Sequence, residues 1–164
     1  MPEVQYFRAI QDALAEEMRR DERVFLTGEA VSPLANNTIR ATEEMWKEFG
    51  EKRIRETGII ESMLAGGSAG AAMAGMRPVV DFTAIDFMVP ALNEIYQAGL
   101  WRSGHGAGEN MSVPVVFMGT IRSYGGGGME HTRAPIANFW HGTGLKLAVP
   151  TTPYDGKGLL KSAI

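Results

Sequence analysis

The sequence predicts an α/β fold: a three-layer parallel β-sheet with helices on both faces. Three observations carry this. Short apolar runs rich in Val, Ile and Phe alternate with longer segments of helical period. The Gly-rich stretches lie as single loops at the ends of the apolar runs, where α/β folds present their ligands. No internal repeat, low-complexity tail or linker interrupts the alternation, and strand–helix–strand repetition of this kind requires crossovers that cover both faces of a parallel sheet.

The elements follow in order. Phe7, Ile10, Leu14 and Met18 share one helical face, and Arg19, Arg20 and Asp21 close that helix. "RVFLTG" is a short buried strand ending at Gly28. The polar loop "EAVSPLANNT" leads into a helix around "ATEEMWKEFG", stopped by Gly50. "KRIRET" is a weak strand. A helix of very small residues follows, then the strand "RPVVDF" and a helix over roughly "VPALNEIYQAGLWRSG". The strand "VPVVFMG" precedes the glycine loop "SYGGGGMEHTRAP". "LKLAVP" reads as a further strand, and "TTPYDGKGLLKSAI" as a capped helix starting near Pro153.

Composition narrows the function. The 164 residues suffice for one domain with a real core. A net charge of −3 gives no basic surface for nucleic acid. The absence of Cys excludes disulfides, thiol catalysis and Cys-ligated zinc. The N-terminal stretch turns charged before any long apolar run, so no signal peptide is expected, and no stretch is apolar enough to span a bilayer. A cytoplasmic protein is the expectation.

The stretch from Arg55 to Phe82, "RETGIIESMLAGGSAGAAMAGMRPVVDF", raises the sharpest question. From Ala65 to Gly75 every side chain except Met73 is tiny, although each Gly costs a helix interior about 1 kcal/mol against Ala. Such a helix needs close packing to form, against another helix, a second subunit or a flat ligand. Glu61 stands at its head. An acid there favours the helix dipole. Its place between "GII" and "SMLA" also predicts a partly buried site suited to proton transfer.

Several motifs compete. "GGSAG" matches the nucleophile-elbow pattern through Gly66, Ser68 and Gly70, which makes a serine hydrolase using Ser68 an alternative. The elbow requires a strand entering a strained turn, whereas Ser68 lies in a segment that reads as helix on both sides. No phosphate loop of the G-x-x-x-x-G-K-[ST] type is present, and the three histidines lack metal-ligand spacing. His105 reads as solvent-facing and His141 as a structural or surface histidine. His131 follows four glycines, Gly125 to Gly128, at a strand end, where backbone can approach a ligand.

Taken together, "RVFLTGEAV", the Glu61 stretch, "GGGGMEHT" and "GLKLAVPTTPYDGKGLLKSAI" resemble the beta subunit of the decarboxylating component of thiamine-diphosphate-dependent 2-oxo acid dehydrogenases (pyruvate, acetoin and branched-chain types). The resemblance covers the whole chain in order and implies that residues 1–164 form a pyrimidine-binding, transketolase-like domain, without its last strand and without the family's C-terminal domain. It further implies that Glu61 hydrogen-bonds the cofactor's aminopyrimidine and drives its activation. It implies that Phe87 stacks on that ring, that Glu29 is a second acid near the cofactor, and that His131 assists acyl transfer to a lipoyl acceptor. Val115 and Ala163 match positions lending carbonyls to a potassium ion. Magnesium and the diphosphate would be held by an alpha subunit, because the G-D-G signature that binds them is absent here. A lipoyl acyltransferase is the further partner implied, and a homo-oligomer with the Ala65–Gly75 helix near its interface is expected. The chain departs from the family pattern where "ETGIIE" stands for D-T-P-I-S-E and "HTR" for H-S-Q. A non-catalytic, truncated interaction domain of the same fold is the other alternative.

Overall fold

A computed structural model of the chain describes residues 4–33, 41–102, 112–121, 128–142 and 144–164. Helix α1 (Tyr6–Arg20) turns Leu14 and Met18 into the core, with Ile10 packed at its margin. Phe7, predicted on the same face, is exposed at the helix start. Strand β1 (Val24–Gly28) is buried along its whole length, as expected for a central strand covered on both faces. Helix α2 (Glu43–Phe49) begins where Thr42 Oγ1 accepts from the Met45 amide at 3.1 Å, and ends at Gly50, whose φ of 68° suits a residue without Cβ. Strand β2 spans Ile54–Glu56, α3 Glu61–Met73 and β3 Arg77–Ala84. A single 3-10 turn, Ile85–Met88, joins β3 to α4 (Leu92–Leu100). Strand β4 (Val116–Thr120), the short helix α5 (Ala137–Trp140) and α6 (Pro153–Ala163) complete the order. Helix α6 starts as predicted, with Thr152 accepting from the Asp155 amide and Pro153 in the first turn.

The sheet runs β2-β1-β3-β4, and every pair is parallel. Alternation along β3 separates its two faces. Val79 joins Leu14, Met18, Leu26, Ile54 and Leu160 in the core beneath α1 and α6. Val80 and Phe82 join Leu64, Ala65 and Ile95 beneath α3 and α4. The predicted three layers are thus present. Glu16 ties α1 to α6 by accepting from Lys157 at 2.6 Å and from Lys161.

One expected strand is not formed. "LKLAVP" stays outside the sheet. The Leu145 amide donates to the Gly142 carbonyl at 3.1 Å, Leu145 packs inward, and Leu147 and Val149 are exposed. An apolar run becomes a strand only through a hydrogen-bonded neighbour, and β4, half-exposed throughout, remains the edge among the described residues.

Candidate functional site

In a parallel sheet all strands deliver their carboxyl ends to one edge. Here β1 has β2 on one side and β3 on the other, so consecutive crossovers depart in opposite directions and leave a crevice between the ends of β1 and β3. Glu29 enters this crevice directly after β1. Glu56 ends β2, and Glu61 opens α3. Phe87 lies in the turn after β3, and His131 in the segment after β4.

The backbone around Glu29 is tightly specified. A Cβ on Gly28 would stand 2.2 Å from the carbonyl oxygen of Asp81, so only glycine lets β1 and β3 close at that point. The Glu29 amide donates to that same oxygen at 3.3 Å, and its carbonyl accepts from Thr83 Oγ1 at 2.9 Å. Thr83 has a φ of 64°, a strained conformation for a β-branched residue, and sits where the β3–β4 register shifts between Asp81 and Ala84. The Asp81 carboxylate accepts the Thr83 amide at 2.7 Å, and Thr120 Oγ1 donates to the Thr83 carbonyl at 2.5 Å. Strain held this firmly is typical of functional sites.

Glu29 is buried, and its Oε1 has no hydrogen-bond partner among the described residues. Burial, followed by the negative charges of Glu61, Glu56 and Asp81, pushes its carboxyl up to about 7. Glu61 is half-buried at the first turn of α3, as its sequence position predicts. Phe87 and His131 meet edge to face, with ring centroids 5.0 Å apart and planes at 85°. Buried Asp86 fixes the approach of the His131 segment, since its Oδ1 accepts from the Arg133 amide at 3.2 Å and from Arg133 Nε at 3.0 Å. Gly119 lets β4 approach the turn: a Cβ there would lie 2.8 Å from the Ile85 amide nitrogen.

Four of the predicted site residues, Glu29, Glu61, Phe87 and His131, therefore converge on one edge. Val115 and Ala163 do not join them. Val115 immediately precedes β4, and Ala163 neighbours Ile164, whose carbonyl accepts from Arg77 at the start of β3. Both lie toward the amino-terminal edge of the sheet. Ser68 is buried within uninterrupted α3, on the face carrying Leu64, Ala65 and Ala72, and shows none of the backbone strain of an elbow. The hydrolase alternative loses its geometry. His141 is exposed at the end of α5. His105 and most of the glycine loop before His131 lie outside the described residues. Sequence reasoning missed Glu56, Thr83, Asp86 and Arg133. Only Asp81 and Asp86, acids set among apolar strand and turn residues, carried a visible signal.

The family model for the transketolase pyrimidine-binding domain matches residues 2–164. The chain belongs to this family. The chain is 39% identical, over 168 residues, to the 2-oxoisovalerate dehydrogenase subunit beta of Bacillus subtilis, covering all of itself and 50% of that relative. It is 37% identical to the mitochondrial pyruvate dehydrogenase E1 component subunit beta of Bos taurus, covering 95% of itself and 43% of the relative. The corresponding subunit of Rhizobium meliloti is also 37% identical, with 95% and 34% covered. The chain spans half or less of these relatives' lengths. Among its described residues, no helix is long and apolar enough to cross a membrane, and no group of His, Asp or Glu side chains is placed to hold a metal ion.

Proposed function

We propose that this pyrimidine-binding domain supplies the aminopyrimidine half of the active site of a thiamine-diphosphate-dependent 2-oxo acid dehydrogenase, acting on pyruvate, a related 2-oxo acid or acetoin. One observation carries the reading: the buried, proton-holding Glu29 and the half-buried Glu61 share the switch-point crevice. The residues fit that end of the cofactor, because the orphaned Glu29 Oε1 calls for a donor and an aminopyrimidine offers N–H groups. Thiamine diphosphate supplies, when bound, the carbanion stabilisation that no side chain can provide.

The chain's own residues divide the remaining work. Glu61 would orient a ring nitrogen by hydrogen bonding and exchange a proton with it when the cofactor is bound. Glu29, half-protonated near neutrality, keeps a second proton out of bulk water beside it. Phe87 offers an aromatic surface, and His131 a ring that accepts or donates a proton during acyl transfer to a lipoyl acceptor. An alpha subunit would hold magnesium and the diphosphate, and a lipoyl acyltransferase would take the product. Val115 and Ala163 remain the proposed carbonyl donors to potassium. The names and identities of the relatives support the class of reaction.

The test is a calorimetric titration of thiamine diphosphate and magnesium into this chain, with and without a matching alpha subunit. Binding that appears only in the mixture is expected. Absence of binding in both would favour a non-catalytic domain.

A further inference from the structure

Glu56 lies on the short edge strand β2, and the residue as a whole is exposed, yet its carboxylate is fully engaged. Its Oε1 accepts from the Ala30 amide at 2.6 Å. Its Oε2 accepts from the Val31 and Ser32 amides, both at 2.9 Å. Three consecutive amides pointing at one carboxylate form an anion-binding concavity, which here is filled from within the chain. The cost of this arrangement is visible at Ala30, which has a φ of 53° although it is not glycine. The three amides are those immediately following Glu29.

We propose that Glu56 is the positioning residue for Glu29: by clasping amides 30–32 it bends the chain after β1 so that the Glu29 side chain is turned into the crevice and shut away from water. The inference rests on the function proposed above for the site. Val31 and Ser32 are buried and anchor the chain beyond Ala30; without the clasp the amides of residues 30–32 lose their carboxylate acceptor, and relaxation at Ala30 would rotate Glu29 outward. Thr83 secures the other side, donating to the Glu29 carbonyl. Three further acids face Glu29, namely Glu61 from α3, Asp81 from β3 and Glu56 itself from β2. Glu56 therefore acts on Glu29 through position and through charge, and the two effects can be separated. Glu56→Asp keeps the charge but is one methylene short of the amides. Glu56→Gln keeps the length but replaces one accepting oxygen with a donor that repels an amide.

The experiment is carried out on the whole chain without cofactor. Glutamate carboxyls are ¹³C-labelled, Glu29 is assigned by its loss in Glu29→Gln, and amide exchange is followed at residues 30–32. Both Glu56 variants should speed exchange of those amides at least tenfold while exchange in β1 and β3 stays slow. Both should move the Glu29 titration midpoint down by a pH unit or more. Unchanged exchange and an unchanged midpoint in both variants overturn the proposal. So does a midpoint that moves only in Glu56→Gln, since charge alone would then explain it, and so does global unfolding of both variants, which would make Glu56 a keystone of the fold. None of these readings depends on thiamine diphosphate. A failed cofactor titration combined with a positive clasp result therefore removes the functional reading and leaves the positioning role intact.

Discussion

Glu61 distinguishes a catalytic acid from a partner of the helix dipole. Glu61→Gln is nearly isosteric, so the fold should survive with well under about 1 kcal/mol lost. In a reconstituted complex, exchange of the cofactor's reactive proton and decarboxylation should fall by about two orders of magnitude or more. Wild-type exchange rates would sink the assignment. His131→Ala should behave differently, with decarboxylation surviving better than acyl transfer to a lipoyl acceptor, as measured by comparing the two half-reactions. Glu29 gives a prediction independent of any partner. Its folded-state carboxyl lies near 7, above the ordinary 4.5, so the folded chain binds this proton more tightly than the unfolded chain. This group's contribution to stability is therefore complete below pH 4.5, declines as pH rises toward 7, and is flat above it. The decline amounts to at most about 3 kcal/mol. Glu29→Gln should remove it, and urea melts of both forms from pH 4 to 8 check this.

At the scale of elements, α3 shows what a sequence discloses and what it withholds. Its buried face, Leu64, Ala65, Ser68 and Ala72, packs on α4 and β3, so small residues serve close packing inside the domain. Gly67 and Gly70 point the other way and are exposed. Leu64→Ala should cost about 2–5 kcal/mol, the usual price of a core cavity. A Cβ at Gly70 meets no atom within 4 Å, so Gly70→Ala should stabilise the isolated chain by about 1 kcal/mol. Thermal melts of the two variants should move in opposite directions. The strands β1, β3 and β4 were legible because each is a bounded run of apolar residues, and the order of elements follows from their alternation. "LKLAVP" carries the same pattern and fails, because a pattern does not provide a neighbouring edge. That Glu61, Glu29, Phe87 and His131 gather at one edge of the sheet was legible through family resemblance, and for Glu61 and His131 also through their positions. The clasp of Glu56 and the Asp86–Arg133 pair were not. They depend on contacts between residues 24 to 47 apart in sequence, which no local spacing encodes.

At the scale of the whole molecule, an exposed apolar face begins at the head of α3. Ile59, Ile60 and Met63 are 79%, 54% and 49% exposed at the head of α3, and they run into the open glycines of the same helix. Apolar side chains beside a nearly flat helical surface allow backbones to approach closely, and a specific interface buries about 800 Å² per partner. The proposed homo-oligomer would use this face, which begins at Glu61 and so would bring the subunit boundary up to the candidate site. Sedimentation at roughly tens of micromolar, a range in which modest interfaces populate, should show a dimer or larger species. Gly70→Arg is the discriminating variant. The open space around Gly70 lets the isolated chain accept a long charged side chain, whereas the proposed contact cannot bury it unpaired. The variant should keep its circular dichroism and sediment as monomer. If wild type is already monomeric, or if Gly70→Arg associates as wild type does, this face is not the interface.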